Sequence, residues 1–187
     1  MLVSRGNSKL HTDTLIFNIT SATNCPSKRL GLCQIPDNCY ALRPEKRWKE
    51  TLPYRERQTK DWDSKSAFEL ASELAYEISR HFKPKIKYVR FSEAGDFRDQ
   101  QDIEKLKQIA KLLPSVIFYG YTARSDLNYN DRPNNLIING SGFMLDNSFT
   151  VIPKQDKDKH PIVCSSDCEN CMLCKEKEYK DIKIPIH

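Results

Sequence analysis

The chain has 187 residues, 39% hydrophobic and 29% charged, with 6 Gly, 10 Pro and a formal charge of +5. Those proportions fit one folded domain with at most a small appendage, and they exclude a disordered or fibrous chain. No apolar run approaches the roughly 18 residues that cross a bilayer, and the opening MLVSRGNSKLHTDT has no signal-peptide apolar stretch, so a cytoplasmic protein with no membrane partner is expected.

Thr14 to Ile19 reads as a short buried strand that leads at once into the loop NCPSKRLGLCQIPDNCY, punctuated by Pro26, Gly31 and Pro36. Tyr40 to Asp61 is helical in pattern, with an interruption expected at Pro53. Its charge is lopsided: Arg43, Lys46, Arg47, Lys49, Arg55, Arg57 and Lys60 face only Glu45, Glu50 and Glu56, with Trp48, Tyr54 and Trp62 interleaved. Such a mixture can hold a phosphate backbone and stack bases, which makes nucleic acid a candidate partner through 43–60. A solvated helix face with its aromatics turned inward has the same composition.

From Ser64 to Phe82, the residues Phe68, Ala71, Leu74, Ala75 and Ile78 recur at helical spacing, and Pro84 closes that region. Lys85 to Ser92, KIKYVRFS, reads as a second strand followed by the loop SEAGDFRD. Asp99 to Leu113 carries Ile103, Leu106, Ile109 and Leu113 along one helical face, and Val116 to Tyr121 forms a third strand. Leu136 to Asn139 and Phe149 to Ile152 are expected as a fourth and a fifth, with gaps too short for good helices. Alternating strands and helices are the pattern of parallel βα units. The expected fold is therefore α/β, a partial parallel (β/α) barrel or open curved sheet over 1–155, with a small cysteine-rich appendage over 156–187. Ligands bind such sheets where loops leave the strands' C-terminal ends, which would bring the cysteine loop, SEAGD, YTARSD and NGSGF to one mouth.

The seven cysteines fall in two groups: Cys25, Cys33 and Cys39, then Cys164, Cys168, Cys171 and Cys174. An odd, clustered set in a reducing compartment points to metal rather than disulfides. The tail group, C-x3-C-x2-C-x2-C, lacks the long spacer between knuckles that structural zinc sites use, and suits an iron–sulfur cluster. Zinc stays open there. Three thiolates in the first loop can hold three irons of a 4Fe-4S cluster and leave one iron open. Two four-cysteine sites need eight thiols, so either one position is open, or His160 completes a site, or a tail cysteine reaches the first loop; His11, His81 and His187 have weaker claims.

A strand followed at once by a three-cysteine loop, with parallel βα units behind it, resembles the start of a radical S-adenosylmethionine (SAM) enzyme, although that family's usual spacing is C-x3-C-x2-C. Closer is the phage-borne gene product 88 family, whose pattern looks like Cys25-Pro26, Cys33 and Cys39-Tyr40-Ala41, then Arg90-Phe91-Ser92 with Gly95-Asp96-Phe97, then Tyr121-Thr122 and the cysteine-rich tail. This resemblance spans Phe17 to Cys174 and implies a viral or mobile-element origin, and so a host-cytoplasmic location, with a radical-SAM-like core. If the mouth takes SAM, the residues placed to meet it are Ser92, Glu93, Gly95, Asp96 and Tyr121, then Asn139, Ser141 and Gly142. Asp96 or Asp99 could equally cap a helix, and core packing is the favoured reading of Tyr119 and Tyr121. Three functions follow: an iron–sulfur enzyme of radical-SAM type with an electron donor, a nucleic-acid-binding metalloprotein, or a zinc-stabilised interaction protein.

Overall fold

The computed structural model describes residues 2–186, so His187 lies outside the described residues. Seven strands form one sheet in chain order: β1 (Ser4–Arg5), β2 (Thr14–Phe17), β3 (Tyr88–Phe91), β4 (Ile117–Thr122), β5 (Leu136–Ser141), β6 (Ser148–Ile152) and β7 (Asp181–Pro185). β1 is antiparallel to β2 and every later pair is parallel. Among the described residues β1 and β7 do not pair, so the sheet is open rather than a closed barrel.

The helices are α1 (Pro26–Arg29), a single turn inside the first cysteine loop, then α2 (Leu42–Arg47), α3 (Thr51–Ser64), α4 (Ala67–Ser79) and α5 (Gln100–Leu112). The interruption expected at Pro53 falls instead at 48–50. Pro53 sits in the first turn of α3, where a missing N–H is no loss. α4 starts at a reciprocal capping box between Ser66 and Glu69, and Asp99 caps α5 by accepting from the N–H groups of Gln101 and Asp102.

Alternation along the strands divides the sheet into two unlike faces. Leu15, Phe17, Val89, Phe91, Phe118, Leu136 and Ile138 point to one side and pack with Trp62, Leu70, Leu74, Ile103, Leu106 and Ile109 in a single apolar core. Burying each of these large side chains is worth about 1.5–3 kcal/mol, so this layer carries the fold. The opposite face presents Tyr88, Arg90, Tyr119, Tyr121 and Asn139, and the tail covers it. There the Tyr88 hydroxyl meets Met172 Sδ at 3.6 Å, Lys175 Nζ sits 4.4 Å over the Tyr88 ring, and Asn139 Nδ2 donates to the Cys174 carbonyl at 3.0 Å.

The α-helices connect only the first half of the sheet, and the β6 to β7 connection holds a 3-10 helix at Lys154–Lys159. β4 to β5 and β5 to β6 are joined by 123–135 and 142–147 without a helix, although parallel crossovers usually take a dozen residues or more. The second connection is compact because Gly142, at φ +87, turns the chain back and Asp146 exchanges hydrogen bonds with the Ile138 backbone. The tail expected as an appendage is joined to the sheet by β7.

Candidate metal centre

The first cysteine loop leaves β2 and is pinned on three sides. Near its start, the buried Glu45 accepts from the N–H groups of Ala22 and Thr23, each at 2.8 Å, and from Arg55 at 2.7 Å. Burial opposes ionisation of that carboxyl, but Arg55 and Thr23 hold it below the usual carboxylate range. Further on, Gln34 donates to Ser141 Oγ (2.9 Å) and the Phe149 carbonyl (3.0 Å) and accepts from the Val151 N–H, which stretches the loop across to β5 and β6. At its end, Arg55 also donates to the Ala41 carbonyl and Tyr40 donates to the Glu93 carbonyl, both at 2.8 Å.

Cys25, Cys33 and Cys39 are half-buried free thiols within this frame. Burial pushes the Cys25 thiol up to about 11, opposed by N–H groups of Lys28 and Ser27 that point at its sulfur, with Asp96 and Cys33 adding to the rise. Cys33 is raised for the same first reason and feels Cys39. The three sulfurs are therefore electrostatic neighbours, and two of them already receive backbone hydrogen bonds of the kind that tune cluster thiolates.

The tail brings Cys164, Cys168, Cys171 and Cys174 around one cavity of about 30 Å³, which Tyr121, Phe149, Leu173 and Ile182 also line. Its walls are fastened to the sheet. Asn147 Nδ2 donates to Asn139 Oδ1 and to the carbonyls of Leu173 and Glu176, and the buried Lys175 donates to the Cys168 carbonyl at 3.2 Å. Cys174 is raised by burial, and the Tyr121 hydroxyl bonds to its sulfur. Among the described residues, no three His, Cys, Asp or Glu side chains lie close enough together to hold a single metal ion.

The family model described as Gene product 88 matches residues 1–180. The chain belongs to the Gene product 88 family. No curated protein and no solved structure matches it. Within this family member, three of the four loops expected at one mouth meet at Asp96, and Gln34 of the cysteine loop reaches the fourth at Ser141. The Asp96 carboxylate accepts from Ser27 Oγ (2.5 Å), Thr122 Oγ1 (2.7 Å), Ala123 N (2.8 Å) and its neighbour Phe97 N (2.8 Å). Burial pushes this carboxyl up while those four donors pull it down. Gly95 must be glycine: at φ +72, a Cβ there would stand 2.1 Å from Thr20 Oγ1, which is hydrogen-bonded to the Asp96 backbone.

The other residues considered for SAM are engaged within the protein. Glu93 accepts from Asn7 (2.6 Å) and lies 3.9 Å from Arg55, Tyr121 and Asn139 face the tail, and Ser141 meets Gln34. Ser92, at φ 53, keeps a buried hydroxyl without a partner. Of the histidines, His11 lies against Asp13 and Glu169, His81 stands 4.0 Å from Glu77, and His160 is not in the wall of the tail cavity. Sequence reasoning named Arg90 only as part of the family pattern and passed over Gln34, Asn147 and Lys175. The one available signal was Arg90, a charge alternating with the apolar Val89 and Phe91 in a strand.

No helix among the described residues is long and apolar enough to cross a membrane.

Proposed function

We propose that this protein is an iron–sulfur protein, with one cluster on the four tail cysteines and a second on the three-cysteine loop. The observation that carries this is the wall of the tail cavity, to which all four tail thiols contribute. Their C-x3-C-x2-C-x2-C spacing lacks the long spacer between knuckles of structural zinc sites and suits a cluster, which offers several irons to one short segment. The first loop fits a cluster through its neighbouring thiols and the N–H groups aimed at Cys25 and Cys33.

A radical-SAM-type activity is the enzymatic form of this reading, resting on a three-thiol site at the C-terminal edge of a parallel sheet. When bound, a cluster with an open iron together with SAM supplies a carbon radical by reductive cleavage. Here the chain's own residues shape the site: Glu45 and Arg55 fix the loop's ends, and Asp96 ties it to β4 through Ser27 and Thr122. Anaerobic purification followed by iron and acid-labile sulfide analysis is expected to find both in equal amounts. Reduced protein given SAM is expected to release 5′-deoxyadenosine. Stoichiometric zinc without sulfide would establish the zinc reading instead, and sulfide without SAM cleavage would leave an electron-transfer protein.

A second reading, nucleic-acid binding, is favoured by the surface of α2 and α3. Trp48 is 58% exposed with the Arg47 guanidinium 5.0 Å from its ring centroid, and Arg43, Lys46, Lys49, Arg57 and Lys60 are exposed beside it. Arg55 does not belong to that surface, because it is buried against Glu45. Charge reversal at Arg47, Lys49 and Arg57 should weaken single-strand binding and flatten the slope of log K against log salt by about two units. Trp48→Ala should cost about 1–3 kcal/mol of stacking. Binding that is absent, or indifferent to salt, removes this reading.

A further inference from the structure

The sheet face beneath the tail holds a cation without a counter-ion. Arg90 lies on β3 in register with Tyr119 of β4, and its guanidinium sits 5.4 Å over the Tyr121 ring. Among the described residues no carboxylate pairs with it. Its one hydrogen bond runs from Nη2 to the Tyr40 hydroxyl at 3.5 Å, while the buried Nε has no partner. Glu93, just past the end of the same strand, is occupied by Asn7 and Arg55. Tyr119, its partner in register on β4, likewise has a buried hydroxyl without a partner. A buried charge and buried hydroxyls left unpaired are costly, and native proteins keep them where a ligand completes them.

The missing partner lies on the tail side. The Tyr121 ring that lies under the Arg90 guanidinium also lines the cavity to which all four tail thiols contribute, so that one ring stands between the cation and the thiols. We propose that Arg90 is the fixed counter-charge of the tail cluster, with Tyr119 donating a hydrogen bond to it, and that together they raise its reduction potential. This rests on the iron–sulfur reading. A thiolate-ligated cluster is anionic and gains one more negative charge on reduction. A nearby buried cation therefore stabilises the reduced form more than the oxidised one. Arg90 also touches Tyr40, the neighbour of Cys39, so the same guanidinium stands between the two cysteine groups. In this role Arg90 positions and tunes.

The test is a redox titration of the full chain, reconstituted anaerobically and followed by electron paramagnetic resonance. Arg90→Gln is expected to favour the oxidised tail cluster at least tenfold, a fall in midpoint of about 59 mV for a one-electron couple. Arg90→Lys should recover most of that shift. Tyr119→Phe removes an oxygen that bonds nothing in the fold and should move the same signal down by less, which keeps the assignment testable if Arg90→Gln does not fold. Unchanged midpoints in the folded variants, with iron and sulfide intact, overturn the assignment while leaving the iron–sulfur reading standing. An unsubstituted chain that takes up no sulfide overturns both.

Discussion

Serine at Cys164, Cys168, Cys171 and Cys174 together is expected to remove half of the iron and sulfide from the reconstituted chain, and serine at Cys25, Cys33 and Cys39 the other half. The division follows from the layout. The tail thiols share one cavity under the second face of the sheet, whereas the loop thiols neighbour one another at its C-terminal edge. Serine keeps the size of each side chain but gives up the thiolate that binds iron. The two variants should also differ in stability. A cluster bound only by the folded state would add its binding free energy to folding, and at the tail site it would draw together β4, β6 and β7 through Tyr121, Phe149 and Ile182, whereas the loop is already pinned by Glu45, Gln34 and Arg55. The tail variant should therefore melt lower than the loop variant. Iron and sulfide analysis with thermal melts under argon checks both points. Full iron retained in both variants ends the two-cluster reading, and loss of all iron from the tail variant alone would mean that a tail cysteine completes the loop site.

Asp96→Ala is expected to lose about 3–5 kcal/mol, among the largest effects of any single substitution in the chain. The carboxylate satisfies two backbone N–H groups and two hydroxyls. The hydroxyls can turn elsewhere, but the N–H groups of Phe97 and Ala123 cannot, and each buried orphan costs about 1–3 kcal/mol. Asp96→Asn should recover only part of this, because its amide NH2 would face donors. Asp99→Ala is the control. That carboxylate is an exposed helix cap with bonds of 2.9 and 3.2 Å, so its loss should cost about 1 kcal/mol. Urea unfolding of the three variants checks the ranking; similar losses at 96 and 99 would mean that Asp96 is only another cap.

That contrast also marks how far the sequence could be read. GDFRD holds two aspartates near a helix start, and local chemistry makes both plausible caps. What separates them is a set of partners from Ser27 and Thr122, far away along the chain. Periodicity located β2 to β6, α4 and α5 within a few residues, since each buries one side by a regular repeat. It overlooked β1, α1 and β7, which are too short or too polar to carry a pattern; DIKIP begins with an exposed Asp and ends with Pro. With β7 unseen, the tail's place under the sheet was also out of reach. The cysteines themselves were visible by count and spacing, but Arg90 became notable only once its Nε and the Tyr119 hydroxyl were known to lack a partner.

The uneven clothing of the sheet has a consequence for how the molecule comes apart. β2 to β4 are sealed by an apolar layer, whereas β6 and β7 are tied down by amide side chains, short loops and the tail. Opening should begin on that side and expose the tail backbone to proteases and to solvent exchange while the helical half stays closed. The lifetime of the intact chain is then governed by its polar flank rather than by its core.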